Sequence, residues 1–206
     1  MVSSASVAGG GEPRSEDDPT VPERVVAALD RIARGVRAHR QTVATDAGVT
    51  VLQADLLRAL HHGPPPPALA GPLAADLGVS QPTVSDSLAA LERKGLVERR
   101  STPGDRRRST FALTPDGDRL AGGLRRADDV LADTVAALDP DDQEHVLRGL
   151  LDMITGMLDN RILAVARTCP TCRYFEAGTD GPRCSLLQVP LAPGDLRVDC
   201  PDHEPV

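Results

Sequence analysis

The amino-acid sequence predicts a mainly α-helical fold with one small β-hairpin. Ala, Leu and Val supply most of the apolar residues, which make up 40% of the chain, and the only aromatic residues are Phe111, Tyr174 and Phe175. Such a composition favours helices packed through small and branched side chains over an aromatic-rich β-sandwich. Apolar residues also recur at helical spacing in several stretches, whereas a single pair of stretches alternates as strands do.

Three parts are predicted along the chain. Residues 1–22 are rich in Ser, Gly, Pro and acidic side chains, which favours a disordered tail. Residues 23–167 hold the helical stretches, and residues 168–206 hold all four cysteines. No apolar run approaches the roughly 18 residues that cross a bilayer, and the N-terminus lacks the pattern of a secretory signal. We therefore expect a cytoplasmic protein with no membrane partner.

Two helices are predicted before the first distinctive motif. The first begins near Glu23, where apolar residues follow at helical spacing. The second begins near Thr50 and ends at Gly63. The four prolines at 64–67 cannot continue a helix, so they are expected to form a rigid connector.

Residues 68–95 show the pattern of two short helices joined by a glycine turn. The first covers residues 72–77 and ends at Gly78, and the second begins after Ser80, a favourable N-cap residue. Gly95 closes the second helix in the left-handed conformation. The side chains expected to face the core are Val84, Leu88 and Leu91. This is a helix-turn-helix, the unit that lays its second helix in the major groove of DNA.

A β-hairpin is predicted directly after this second helix. In residues 96–100 and 109–113 the side chains alternate in a way that is compatible with β-strands. The stretch "STPGDRRR" between them has residues typical of a turn. The stretch from Arg93 to Arg108 contains seven basic residues and two acidic ones. Its local charge is therefore +5, in a chain of net charge −7. A basic hairpin in this position is a wing that contacts DNA. A solvated hairpin without that role is the alternative.

Two further helices are predicted over residues 114–138 and 139–166. Asp139 is the expected N-cap of the second, with Pro140 at its first position. Its apolar face comprises Val146, Leu150, Met153, Ile154, Met157 and Leu158. Both helices are candidates for core packing or for contact with another subunit.

From the first helix to about residue 166, the sequence resembles the MarR family of winged-helix transcriptional regulators. The clearest part is "DRRRSTFALTPDG", similar to the family's wing signature at Asp105, Arg107, Leu113, Thr114 and Gly117. The resemblance implies that the flanking helices form a homodimer on double-stranded DNA, and that Asp105 holds Arg107 in the minor groove. It also implies a small-molecule effector, which the sequence does not identify.

The residues predicted to contact DNA lie at the start of the second helix of the motif and in the wing. Backbone N–H groups and small hydroxyls at a helix N-terminus suit phosphate oxygens. Gln81 could also read adenine, and Asp86 either accepts a hydrogen bond from cytosine or pairs with a neighbouring arginine. The predicted set is Ser80, Gln81, Thr83, Ser85, Asp86, Asp105, Arg106, Arg107 and Arg108.

The last part of the chain carries five candidate metal ligands: Cys169, Cys172, Cys184, Cys200 and His203. A tetrahedral zinc ion needs four ligands, so either Cys184 or His203 is spare. An iron-sulfur cluster would use the four thiolates and leave His203 outside. Zinc is preferred because the C-x2-C and C-x2-H pairs already supply four ligands. Reversible thiol oxidation is the third alternative, and a chemically inert tail is the fourth.

The sequence thus predicts a winged helix-turn-helix flanked by dimerisation helices, with a small cysteine-rich C-terminal module. The expected function is sequence-specific regulation of transcription, as a repressor, with the cysteines providing modulation by metal or redox state. No enzyme is expected, since no catalytic pair accompanies the thiols. The alternatives are a small metal- or redox-active protein and an interaction adaptor, in which the winged helix would not be the main activity.

Overall fold

A computed structural model describes residues 18–62, 68–102, 105–179 and 181–206. For residues 101, 102 and 105–108 the description is limited to the backbone. The chain divides into two compact units, one ending at His39 and the other covering Arg40–Val206. The predicted N-terminal tail lies outside the described residues as far as residue 17, and the proline connector at 64–67 lies outside them altogether.

As far as α7, the described elements follow the order that the sequence predicts, with helices before and after the wing hairpin. The helices and strands are α1 (Val21–Asp46), α2 (Val51–His61), α3 (Ala70–Leu77), α4 (Gln81–Arg93), β1 (Val97–Thr102), β2 (Asp105–Leu113), α5 (Pro115–Ala127), α6 (Asp129–Ala136) and α7 (Pro140–Asp159). The C-terminal segment, residues 168–206, contains the short strands β3 (Phe175–Gly178), β4 (Gly181–Cys184) and β5 (Val189–Pro190). Among the described helices, none is long and apolar enough to cross a membrane. The predicted mainly helical fold with a small hairpin is confirmed.

The start of α2 is fixed by a reciprocal cap. The Thr50 side chain accepts a hydrogen bond from the Gln53 backbone N–H at 3.2 Å, and Gln53 Oε1 accepts one from the Thr50 N–H at 3.3 Å. Two otherwise unpaired N–H groups are satisfied in this way. The predicted start near Thr50 is therefore confirmed.

The core of the larger unit is built mainly of leucine. Side chains from α2, α3, α4 and α5 meet there and exclude water almost completely: Leu56, Leu57, Leu73, Leu88, Leu91 and Leu124 are each at most 2% exposed. Val84 is also fully buried, so the predicted inner face of α4 is confirmed. Burial of each such side chain stabilises the fold by about 1.5–3 kcal/mol relative to exposure.

The hairpin is joined to α5 by a very close backbone approach. Thr114 caps α5 by accepting a hydrogen bond from the Gly117 N–H at 3.1 Å, and its hydroxyl donates to the Gly95 carbonyl at 2.7 Å. Its own N–H donates to the Leu96 carbonyl at 3.1 Å. A Cβ added to Gly117 would lie 1.8 Å from that Leu96 oxygen. Only glycine fits here.

The predicted single helix over residues 114–138 is wrong, because α5 ends at Ala127 and α6 begins at Asp129. The Asp128 carboxylate at this break forms an ion pair with Arg58 of α2, with 2.9 Å between Oδ2 and Nε. This partner is distant in sequence, so the helical periodicity gave no sign of it. The second predicted helix is also shorter than expected: α7 ends at Asp159, and Arg161 adopts a left-handed backbone at φ 59°.

We expect Gly117→Ala to lower the free energy of unfolding by about 3 kcal/mol, because the new methyl group overlaps the Leu96 carbonyl and forces α5 away from the hairpin. The measurement is urea denaturation followed by circular dichroism. Gly122→Ala is the control in the same helix, since its Cβ would meet only Arg126 Nη1 at an ordinary 3.6 Å. That variant should gain about 0.5–1 kcal/mol from helix propensity. Equal effects of the two substitutions would contradict the close approach.

Candidate nucleic-acid interface and thiol cluster

The N-terminus of α4 is organised by Ser80. Its hydroxyl accepts a hydrogen bond from the Thr83 backbone N–H at 3.3 Å and lies 2.7 Å from the Thr83 hydroxyl. At the other end, Gly95 adopts a left-handed backbone at φ 70°. Both predicted ends of the helix are therefore confirmed. A capped N-terminus leaves further N–H groups of the first turn available to an anion.

Polar side chains cover the outer face of the first two turns of α4. Gln81, Thr83 and Asp86 are exposed, while Ser85 and Ser87 are half-buried. No described side chain forms an ion pair with Asp86, and its predicted pairing with a neighbouring arginine stays a prediction, since the side chains of residues 106–108 lie outside the described part. The structure thus leaves Ser80, Gln81, Thr83 and Asp86 accessible, while Ser85 is partly covered.

The wing is an antiparallel pair in which Val97 lies opposite Leu113 and Ser101 opposite Ser109. Its strands extend further toward the turn than the sequence indicated. Phe111 donates its N–H to the Ala68 carbonyl at 3.0 Å, which joins β2 to the chain ahead of α3. The side chains of Asp105, Arg106, Arg107 and Arg108 lie outside the described part, so their predicted contacts with DNA stay predictions.

Three of the seven basic residues counted in the sequence are engaged within the protein. Lys94 Nζ donates to the Gly48 carbonyl at 2.8 Å and to the Gln53 side chain at 3.0 Å. The Arg99 guanidinium lies 5.3 Å from the centre of the Phe111 ring. Arg100 Nε donates to Glu98 Oε1 at 2.8 Å. The number of basic side chains free for directional contact with DNA is therefore smaller than the sequence count, and Lys94 in particular ties α4 to the turn before α2.

In the C-terminal segment, backbone contacts gather chain regions that are far apart in sequence. Strands β3, β4 and β5 form an antiparallel sheet in which Cys184 lies opposite Phe175. Cys172 forms an isolated bridge with Pro205. Cys200 donates its N–H to the Arg167 carbonyl at 2.9 Å, and Cys169 donates its N–H to the Arg197 carbonyl at 3.0 Å.

All four cysteines are free thiols and line one small cavity. Its volume is about 20 Å³, and the rest of its wall is formed by Tyr174, Phe175, Leu186, Leu187, Leu191 and Asp202. Burial raises the pKa of Cys169, the Arg197 N–H at 3.2 Å from its sulfur acts in the opposite direction, and the three other thiols raise it further. Within the described residues, no group of three or more His, Cys, Asp and Glu side chains is already arranged to hold a metal ion.

His203, the fifth candidate ligand, faces elsewhere. Its Nε2 donates to the Thr171 carbonyl at 3.1 Å and lies 3.0 Å from the Thr171 hydroxyl. The ring lines a separate cleft beside the end of α7, together with Thr155 and Leu158. The structure therefore brings the four thiols together and leaves His203 apart from them, a distinction that ligand spacing alone could not make.

The C-terminal segment is attached to the helix-turn-helix through Arg167. Arg167 Nε lies 3.4 Å from Asp76 Oδ1 on α3, and its Nη2 lies 3.9 Å from Asp199. The Arg167 and Asp76 side chains are only 15% and 19% exposed. Burial raises the pKa of Asp76, Arg167 acts to lower it, and Asp199 acts to raise it. A partly desolvated ion pair thus connects the cysteine-bearing segment to the first helix of the DNA-binding motif.

Residues 47–108 match the model of the MarR family. A solved MarR family transcription regulator is 26% identical, with a TM-score of 0.60, covering 67% of this chain and 91% of that one. The chain has the winged-helix fold of the MarR family. Similar structures include Staphylococcus aureus MepR in complex with DNA, at 24% identity, TM-score 0.57 and coverage of 65% of this chain and 97% of MepR. A search of curated proteins gave no match.

A further MarR-like structure is CouR from Rhodococcus jostii RHA1 bound to p-coumaroyl-CoA. It is 23% identical with a TM-score of 0.55, and the alignment covers 66% of this chain and 95% of CouR. Members of the MarR family are transcription regulators and not enzymes. The expectation that this MarR-like chain is not an enzyme is confirmed on that basis.

Proposed function

We propose that this MarR-like protein is a sequence-specific DNA-binding repressor of transcription. The observation that carries the proposal is the accessible N-terminus of α4, where Gln81, Thr83 and Asp86 are exposed beside the wing. In winged proteins of this type the second helix of the motif enters the major groove and its first residues contact base edges. MepR, which shares the fold, has been crystallised with DNA.

The N-terminus of α4 and the wing are proposed to make different kinds of contact with DNA. An amide such as Gln81 can make two hydrogen bonds to adenine, so it specifies a base. The arginines of the wing suit the concentrated negative potential of a narrow minor groove and contribute affinity with less sequence information.

A small-molecule effector belongs to the same proposal. A cleft of about 430 Å³ between residues 74–79 and 162–165 has a volume suited to such a ligand.

Gln81→Ala should weaken binding to a DNA duplex that the protein itself has selected from a random-sequence pool. The expected loss is about 1–3 kcal/mol for that duplex, with little change for unrelated DNA, because a base contact is removed while phosphate contacts remain. Fluorescence anisotropy at several salt concentrations measures both. Gln41→Ala, an exposed glutamine on α1, is the matched control and should bind as the parent does. Uniform weakening on both duplexes would contradict base reading by Gln81.

We also propose that the protein acts as a homodimer. Large apolar side chains are exposed after the wing, on α6, on α7 and in the turn between them: Val130, Val135, Leu138, Val146 and Leu150 are 39–54% exposed. Leu151, the neighbour of Leu150, is only 1% exposed, so α7 has one face packed within the chain and another facing outward. An outward-facing apolar side chain such as Leu150 would be covered at an interface between two copies of the chain.

Leu150→Glu should shift the protein from dimer to monomer, because a carboxylate would be buried without a partner at the proposed interface. A weakening of about 2 kcal/mol or more is expected for a central contact, and sedimentation equilibrium over a range of concentrations measures it. Arg148→Glu, which introduces the same carboxylate at an exposed position on the same helix, provides the control. If Leu150→Glu folds normally and keeps the parent's mass distribution, α7 is not the interface.

The C-terminal segment is proposed to modulate DNA binding through α3. Arg167 contributes two contacts: its carbonyl accepts the Cys200 N–H, and its guanidinium pairs with Asp76. A change around Cys200 would therefore alter the support of α3, against which α4 is packed. Coupling between two sites requires such an element shared by both.

Arg167→Met should weaken binding to the selected duplex by roughly 5-fold or more, within the range typical of coupled sites, because α3 loses its connection to the C-terminal segment. Anisotropy titration gives the affinity, and circular dichroism confirms that the variant is folded. Arg173→Met is the control, since Arg173 pairs with Glu204 at 3.1 Å at an exposed site within the same segment. Unchanged DNA affinity in a folded Arg167→Met protein would reject this route of modulation.

A further inference from the structure

We propose that Cys169, Cys172, Cys184 and Cys200 together bind one zinc ion, and that His203 is not one of its ligands. The site lies within the C-terminal segment. This proposal concerns the chemistry of that segment alone, and its test does not depend on whether the protein binds DNA.

The first support is the convergence of three distant chain regions on one cavity. Cys169 and Cys172 lie in a single turn, closed by a hydrogen bond of 3.0 Å from the Cys172 N–H to the Cys169 carbonyl. Cys184 arrives at the end of β4, and Cys200 is held by the Arg167 carbonyl. A short three-stranded sheet and a few leucines give little stability by themselves. Segments of this size are commonly held together by a metal ion.

The second support is the chemistry of the cavity wall. Four thiols are the complete ligand set of a tetrahedral zinc site, with about 2.3 Å between metal and sulfur. Soft sulfur ligands exclude magnesium and calcium. The cavity volume of about 20 Å³ suits an occupant of roughly one atom. An iron-sulfur cluster of several iron and sulfide atoms is a larger occupant, so the size favours a single ion.

The four thiols line the cavity, but among the described side chains no three are arranged as ligands of one ion. A cysteine sulfur moves when its χ1 angle changes from one staggered rotamer to another, and this rotation is the movement by which the four thiols would close on an ion. Cys169 is prepared for this role by the Arg197 N–H, which donates to its sulfur at 3.2 Å. Hydrogen bonds of this kind orient metal ligands and favour the thiolate that binds the ion.

The third support is the position of His203. Its Nε2 is already used as a donor to the Thr171 carbonyl, and the ring lines a cleft that contains none of the cysteines. Ligation by that nitrogen would require the loss of this contact and rotation of the ring into another cavity. Cys184 needs no such change, because it already lines the thiol cavity.

The test uses the full chain, purified under reducing conditions without added metal. Elemental analysis should find one zinc ion per chain and no iron. After removal of the metal, titration with cobalt(II) should give the intense near-ultraviolet absorption of thiolate-to-cobalt charge transfer, with an intensity that corresponds to four thiolates. Competition with a chelator of known affinity then gives the dissociation constant for zinc.

Two variants distinguish the ligand sets. Cys184→Ser should raise the dissociation constant for zinc by about 100-fold or more, since it removes a direct ligand. His203→Gln should keep one zinc ion per chain and the four-thiolate cobalt spectrum. Because the spectrum of the parent protein also reports the number of thiolates, the proposal remains testable if Cys184→Ser fails to fold. A three-thiolate spectrum, loss of zinc in His203→Gln, an iron- and sulfide-containing brown protein, or a reduced protein that binds no zinc would each overturn it.

Discussion

The arrangement of the DNA-binding elements depends on the close approach of Gly117 to the Leu96 carbonyl. Leu96 connects α4 to the hairpin, and Gly117 lies in the first turn of α5. Thr114 strengthens the same junction through hydrogen bonds to Gly95 and Leu96. Because three elements meet within a few residues, their relative angles are fixed by backbone contacts instead of flexible side chains. A helix and a wing can enter adjacent grooves together only if that angle is constant.

Several basic side chains near the wing form contacts within the protein. The net charge of −7 opposes binding to a polyanion, so contact with DNA requires local basic groups. Lys94, Arg99 and Arg100 are instead occupied by the Gly48 carbonyl, an aromatic ring and a neighbouring carboxylate. Their positive charges still contribute to the potential near the wing, but their geometry is set by the protein. In the proposed complex, directional contacts with DNA therefore fall to other groups, the exposed end of α4 and the arginines at 106–108 of the wing.

The limits of sequence prediction follow from how far apart the interacting residues are. The ends of α4 were predictable because Ser80 and Gly95 act on backbone groups within a few positions. The break between α5 and α6 was not, since Asp128 is held by Arg58, 70 residues away. Residues near the wing illustrate both cases: the hairpin follows from local alternation, whereas Lys94 contributes to the predicted basic cluster but binds the turn before α2.

The thiol cluster also depends on contacts that the sequence does not reveal. Ligand spacing alone makes Cys184 and His203 equally acceptable as the fourth zinc ligand. They are separated only by contacts between distant residues: Thr171 binds the imidazole, while the pairing of β3 with β4 carries Cys184 to the cavity. Arg167 then gives the cluster a physical connection to α3. Its carbonyl holds the backbone of Cys200, and its guanidinium meets the half-buried Asp76. Arg167 thus contacts both Cys200 and α3, and a displacement of Cys200 that moves the Arg167 backbone would change the geometry of the contact with α3.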